Sequence, residues 1–278
     1  MARRLNAFAM CLMIFISVSA CTTTPKYNFP QGTRVGIINL LEPYATHQQF
    51  STLGKDNFKK TYEVDWDMPS YAQGQLKTQL AKDARFTIVQ IKLSKPLQEK
   101  TLRLKMVEQV LVSRTAPPTL PPQGVRLLDR ISQPHDVQVV ILIGSYNGPS
   151  PHKNNEELIY VEGYGLFTRW LFRGILGGFL SSRKAYAYAQ IGVVVYKVQP
   201  VTYVAAARAI RKGRPLRPIN DFNWDANIRN LSESDLNRTK PPIEEYIKEA
   251  VIRALRIANL IPTRPAREDS GIGGAPSR

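Results

Sequence analysis

Short apolar runs and helically spaced apolar residues alternate along the first third of the chain. Residues 34 to 41 form a run rich in Val and Ile, which predicts a buried strand. Pro69 and Ser70 open a predicted helix, and residues 85 to 92 alternate in the way a strand does. Residues 42 to 67 show no clean period and are expected to form a loop. The pattern therefore predicts strand, loop, helix and strand.

The middle of the chain adds two predicted helices and one strongly apolar strand. Helical spacing predicts a helix from Pro96 to Ser113, which stops at a proline-rich loop, and a short helix from Val125 to Ser132. Val137 to Tyr146 is the most hydrophobic strand candidate beyond the N-terminal region. Such a strand is typical of the centre of a sheet that is covered on both faces.

The last third of the chain predicts a hairpin and a closing helix. Ala185 to Val198 and Val201 to Ile210 are extended runs joined by a turn, and Pro242 to Leu260 is amphipathic, with acidic residues early and arginines late. Together the elements predict the α/β (α+β) class. We expect a single domain with a mixed central sheet, a C-terminal antiparallel hairpin and helices packed on the sheet.

The most unusual segment is Gly165 to Leu180. Drawn as a helix, it is apolar all round except near two arginines, and those arginines and four glycines disfavour a transmembrane helix. Aromatic residues beside cations suit an anionic interface, so we expect this segment to contact a membrane or a partner. The alternative is a helix buried within the domain or at an oligomer interface. The expected contact residues are Leu166, Phe167, Arg169, Trp170, Phe172 and Arg173.

The N-terminus has the pattern of a secretory signal peptide. Two arginines precede an apolar stretch from Ala7 to Val18, which is too short to span a bilayer. The next residues, Val18-Ser19-Ala20-Cys21, resemble the lipobox of bacterial lipoproteins. The resemblance implies that residues 1–20 are removed and that Cys21 is acylated. Because Thr22, rather than Asp, follows Cys21, it also implies the periplasmic face of the outer membrane.

The lipobox and the composition together predict four regions. Residues 1–20 are the signal peptide, residues 21–33 a flexible tether that carries the lipid anchor, residues 34–263 the periplasmic α/β domain, and residues 264–278 a disordered tail rich in Gly, Pro and charge. Both cysteines lie within the first 21 residues, so the domain has neither a disulfide framework nor a cysteine zinc cage.

Charge narrows the choice of partner. Without residues 1–20 the chain has 36 basic and 22 acidic residues, a net charge of +14. A basic surface favours polyanions, of which lipid head groups and peptidoglycan are the ones that a periplasmic protein meets. We expect no nucleic acid partner, since the sequence has no zinc-finger, leucine-zipper or aromatic RNA-binding signature.

Motifs for catalysis or metal binding do not stand out. His47, His135 and His152 are isolated, and neither HExxH nor GxSxG occurs. Asp65 and Asp67 precede a predicted helix and suit loop and capping positions. We therefore predict no catalytic residues, no metal and no cofactor, and a protein that is not an enzyme. An enzyme whose site is assembled from residues distant in sequence is the weaker alternative.

The order of elements resembles the periplasmic α/β lipoproteins that include the curli secretion channel, the penicillin-binding-protein activator and the N-terminal domain of the Tol translocation protein. The residues that carry this likeness are Arg34 to Asn39, Leu76 to Gln90, Asp136 to Tyr146, Ala189 to Ala207 and Tyr246 to Leu260. The chain departs from the group by an insertion at Gly163 to Ser182. It also lacks, by sequence pattern, the paired amphipathic strand segments of the curli channel, which argues against pore formation.

The resemblance implies two functions. The first is a non-enzymatic interaction or assembly component of an envelope machine for secretion, transport or wall synthesis. The alternative is an oligomeric, channel-forming secretion lipoprotein of the curli-channel type. Envelope proteins are the expected partners in both cases, and a homo-oligomer is expected in the second.

Overall fold

The computed structural model describes residues 27–51, 57–112, 118–149, 160–175, 178–210, 216–220, 222–224 and 228–262, with the backbone alone at residues 149 and 171–181. They form a mixed α/β domain, as the sequence predicts. The strands are β1 (Thr33–Asn39), β2 (Tyr44–Ser51), β3 (Phe58–Glu63), β4 (Phe86–Gln90), β5 (Val139–Ser145), β6 (Gly148–Pro149), β7 (Tyr160–Val161), β8 (Gly163–Ile175), β9 (Gly178–Lys197) and β10 (Thr202–Arg208). The helices are α1 (Met68–Leu80), α2 (Lys95–Arg103), α3 (Met106–Val112), α4 (Pro122–Ser132), α5 (Glu233–Asn237) and α6 (Lys240–Ile257), and Gln133–His135 is a 3₁₀ turn.

The long strand β9 organises the main sheet. Its C-terminal half lies between β5 and β10, both antiparallel to it, and its N-terminal half pairs with β8. Ser145 at the end of β5 pairs with Ile191, and Gly163 at the start of β8 pairs with Gln190, so β5 and β8 lie end to end along one edge of β9. β1 pairs with β5 and β2 pairs with β8, in both cases parallel, so β1 and β2 also follow each other along the sheet. The outer strands are β4 beside β1 and β3 beside β2.

Helices cover both faces of the central strands. Along β1, Val35 and Ile37 point to a core that contains the buried residues of α1 and α6, whereas Ile38 points to a second core with α3 and α4. Successive side chains of a strand face opposite ways, so a strand covered on both sides must be apolar throughout. This explains why Val137 to Tyr146 is so hydrophobic, and the prediction that it is central is confirmed, because β5 lies between β1 and β9.

Several other predicted elements are confirmed. The helix opened by Pro69 is α1, whose N-cap Asp67 accepts a hydrogen bond from the Ser70 backbone N–H at 3.1 Å. The extended runs on either side of residues 199–200 are β9 and β10 of an antiparallel hairpin. The amphipathic closing helix is α6, which buries Ile243, Ile247, Val251 and Leu255.

Two predictions of local structure are wrong. Residues 42 to 67 hold the antiparallel strands β2 and β3 rather than a loop. Their sequences are mostly polar, and β3 carries lysines of the kind that protect an exposed edge strand, so no apolar pattern marked them. The predicted helix from Pro96 to Ser113 is also interrupted, because Lys105 between α2 and α3 has φ +46°, outside the helical region.

The domain begins before Arg34, so the tether prediction is wrong for residues 27–33. Phe29 is buried and lies edge-on against Phe86, with ring centroids 6.5 Å apart. The Asn259 side-chain amide donates a hydrogen bond to the Tyr27 carbonyl at 2.8 Å. Residues 21–26 of the predicted tether lie outside the described residues, as do the signal peptide, Cys21 and the predicted tail from 264 to 278.

Candidate functional site

The segment predicted as an apolar helix instead consists of most of β8 and the first residues of β9, which pair as an antiparallel hairpin. β8 and β9 pair from Gly163 with Gln190 to Ile175 with Gly178. An apolar stretch of this kind fits a strand buried on both faces as well as a helix, so its period could not distinguish them. The insertion at Gly163 to Ser182 therefore supplies a pair of antiparallel strands that the sequence pattern did not predict.

Among the described residues, the end of this hairpin extends past the neighbouring strand β2. The last pair that joins β2 to β8 is Ser51 with Trp170, whereas β8 and β9 continue for five further residue pairs. At ~3.4 Å per residue these pairs add roughly 17 Å of two-stranded structure. We call residues 171–175 and 178–182 the ribbon. Its sequence is rich in large apolar residues and includes one arginine: Leu171, Phe172, Arg173, Ile175, Phe179 and Leu180.

The base of the ribbon is held by an aromatic and cationic contact. Trp170 is half-buried, and the Arg183 guanidinium lies 4.0 Å from the centroid of its ring. Arg183 also lies 6.0 Å from the Trp224 ring, and both Arg183 and Lys184 are exposed to solvent. A cation stacked on an indole keeps its charge while covering apolar surface. The base of the ribbon therefore presents two cations to the outside.

The predicted contact residues divide into three groups. Leu166, Phe167 and Arg169 are buried within the domain, at 0%, 1% and 5% exposure, which fits the alternative of a core role and leaves them no surface for a partner. Trp170 is half-buried at the base of the ribbon. Phe172 and Arg173 belong to the ribbon, where the structure describes the backbone only.

Sequence reasoning missed a buried polar cluster beside the ribbon base. The Thr168 hydroxyl donates its single proton to the Gln49 side-chain oxygen at 3.3 Å. The same hydroxyl is 2.8 Å from Nε2 of His47, so we assign His47 as the donor in this second hydrogen bond. The Phe58 ring lies edge-on to His47, with centroids 4.9 Å apart. Burial lowers the pKa of His47 to about 3, and the Lys60 charge acts in the same direction.

This cluster has a structural explanation. In β2 the alternate residues Ala45, His47, Gln49 and Ser51 are all buried. Three of these four buried residues are polar, so the spacing of apolar residues could not predict that β2 is a buried strand. The neutral imidazole donates from Nε2 to the Thr168 hydroxyl, which in turn donates to Gln49, whereas Nδ1 of His47 has no hydrogen-bond partner among the described residues. His47 thus belongs to the structural support of β8.

A cleft lies at the carboxyl ends of the parallel strands β1 and β5, where open α/β sheets often bind ligands. It consists of two neighbouring cavities of about 160 and 260 Å³ that share Glu42, Ser145 and Glu162 in their walls. The Tyr44 hydroxyl donates a hydrogen bond to Glu42, and burial together with that carboxylate raises the pKa of Tyr44. In the described part of the chain no group of three or more His, Cys, Asp or Glu residues could hold a metal ion.

No protein-family model matches the chain, and no curated protein matches it. Among solved structures, the hypothetical protein CT253 from Chlamydia trachomatis is similar over 80% of this chain and 99% of its own, with 11% sequence identity and a TM-score of 0.25. None of the described helices is both long and apolar enough to cross a membrane.

Proposed function

We propose that this protein is an outer-membrane-anchored periplasmic lipoprotein that acts as a non-enzymatic interaction or assembly component of an envelope machine. The observation that carries the proposal is the ribbon, which continues beyond the last described residue of β2 and has an apolar sequence. A two-stranded ribbon is at best marginally stable alone in water. A partner that covers its apolar sequence would stabilise it, and we assign that role to an envelope protein of a secretion, transport or wall-synthesis machine.

The anchor is the second part of the proposal and rests on the lipobox that ends at Cys21. The packed domain begins by Tyr27, six residues later. At ~3.5 Å per extended residue, six residues span roughly 20 Å. An acylated Cys21 would therefore keep the domain close to the membrane surface. This arrangement favours partners embedded in, or lying directly beneath, the outer membrane.

Charge supports the same location. The chain without its first 20 residues carries a net +14, and the exposed Arg183 and Lys184 at the base of the ribbon contribute to it. Basic residues close to an anionic surface gain ~1 kcal/mol each from lipid head groups. Anionic lipid or peptidoglycan would thus reinforce the contact that the ribbon makes.

Palmitate labelling tests the anchor. Cells that express the Cys21→Ser protein should incorporate no labelled palmitate into it, and the protein should leave the membrane fraction, because the thiol that forms the thioether is gone. Cys11→Ser is the matched control, since Cys11 lies in the middle of the apolar stretch and should leave labelling unchanged. Labelling that persists in Cys21→Ser would refute the anchor.

One observation favours the alternative of an oligomeric, channel-forming secretion lipoprotein. Beyond Trp170, none of the described residues pairs with the outer edge of β8. Unpaired strand edges can pair with the strands of another chain, and a ribbon from each protomer could assemble in this way. Gel filtration and a liposome leakage assay separate the two functions. A monomer that releases no dye supports the interaction protein, whereas an oligomer that permeabilises liposomes supports the channel.

A further inference from the structure

A second site lies far along β9 from the ribbon. A cavity of about 450 Å³ opens between the start of α4, the turn from β9 to β10, and Tyr27. Its walls include Leu120, Val125, Val201 and Val204, and no charged side chain lines it among the described residues. Its volume is within the range of about 300–1,000 Å³ that is typical of small-molecule pockets.

One wall of this cavity contains an unusual polar group. Tyr196 lines the cavity, is 1% exposed, and has a hydroxyl with no hydrogen-bond partner among the described residues. The side chain of Tyr203 lies opposite on the paired strand and also lines the cavity. A buried hydroxyl is nearly always bonded. A ligand in the cavity could provide the partner that the protein does not.

We propose that this cavity binds an uncharged, mainly apolar small molecule whose single carbonyl or hydroxyl group pairs with the Tyr196 hydroxyl. The aliphatic and aromatic walls remove the apolar body of the ligand from water. A charged ligand is disfavoured, because no opposite charge lines the cavity and a buried unpaired ion is costly. The site depends neither on the lipid anchor nor on the ribbon.

A matched pair of probes tests the hydrogen bond directly. Full-chain protein that carries Cys21→Ser, so that no detergent is needed, is equilibrated by dialysis with 1-naphthol or with naphthalene, which differ by one hydroxyl. Both should bind, and 1-naphthol should bind about fivefold more tightly, the size of one net neutral hydrogen bond. In the Tyr196→Phe protein the two affinities should become equal.

Two valine variants locate the binding. Val201→Trp fills the cavity and should reduce the affinity for both probes at least tenfold. Val112→Trp is the matched control, since Val112 is 45% exposed at the end of α3 and outside the cavity, and it should bind both probes as the parent does. Equal affinity of the parent for the two probes would overturn the proposal. So would binding of either probe that survives Val201→Trp in a protein whose circular dichroism is unchanged, or a naphthol preference that survives Tyr196→Phe.

Discussion

At the scale of single residues, two buried tyrosines of β9 differ in what their hydroxyls can bond. The Tyr188 hydroxyl donates towards the Glu162 carbonyl at 3.2 Å and lies 3.4 Å from the Thr46 carbonyl. The Tyr196 hydroxyl has no partner among the described residues. Burial raises the pKa of both groups, so both are neutral phenols at ordinary pH.

The same substitution should therefore have opposite effects at these two positions. Tyr196→Phe removes a hydroxyl that was buried without a bond and should raise the free energy of unfolding by about 1 kcal/mol, whereas Tyr188→Phe should lower it by about 1 kcal/mol. Urea denaturation of the ligand-free proteins measures both. A loss of stability in Tyr196→Phe as large as that in Tyr188→Phe would show that its hydroxyl is bonded after all.

His47 should make the protein sensitive to acid. Its pKa is lowered from 6.5 to about 3 by burial, so between these values the unfolded chain takes up a proton that the folded protein does not. Above pH 6.5 the neutral His47 does not make the free energy of unfolding depend on pH. As the pH drops from 6.5 towards 3, the free energy of unfolding falls by about 1.4 kcal/mol per pH unit because of this group. Lowering the pH from 6.5 to 5 should thus cost the parent about 2 kcal/mol more than it costs His47→Gln.

The matched control for this pH dependence is His135→Gln. His135 is half-buried in the 3₁₀ turn after α4, far along the chain from the His47 cluster. Urea midpoints measured from pH 7 to 4 should show His135→Gln losing stability in parallel with the parent. If His47→Gln runs parallel to the parent as well, then His47 is not buried in its neutral form.

At the scale of elements, the pairing of β2 with β8 depends on one glycine. Gly165 has φ +145°, and a Cβ atom there would overlap the backbone of Thr46 on β2. Gly165→Ala should therefore separate the two strands and lower the free energy of unfolding by about 3 kcal/mol, as strained backbone and lost packing do. Gly74→Ala is the opposite case, because Gly74 lies in α1 with open space around it and should gain up to about 1 kcal/mol. Equal melting temperatures for Gly165→Ala and the parent would contradict the β2–β8 register.

Elements were predictable where burial left a clear pattern. β5 and α6 could be identified because the first is apolar at every position up to Gly144 and the second is apolar on one face. β2 was not predicted as a strand because its buried face carries the polar residues His47 and Gln49. Contacts with Thr168 of β8 compensate their polarity, and a sequence does not show such contacts. β8 was assigned to a helix because an apolar run has no period of its own, and pairing with the distant β2 decides its conformation.

At the scale of the whole molecule, the predicted anchor and the ribbon define how the protein would engage the envelope. The predicted anchor, Cys21, lies six residues before Tyr27 of the packed domain, and the ribbon is the part of β8 and β9 that continues beyond the described strand β2. The sequence indicated that residues 165 to 180 are exceptional, but it placed buried and ribbon residues in one group. Only the register with β2 separates Leu166 and Phe167, which build the core, from Phe172 beyond it.

The central claim is that the ribbon serves a contact outside the domain rather than the domain's own core, and thermal melting of two variants tests it most directly. Phe172→Ser combined with Phe179→Ser changes the ribbon, while Phe167→Ser changes a residue of the same strand that is 1% exposed. We predict that the ribbon variant melts within a degree or two of the parent. Phe167→Ser should lose about 3 kcal/mol or more and melt roughly 10 °C lower. A ribbon variant that melts as early as Phe167→Ser would contradict the account and assign the ribbon to the core.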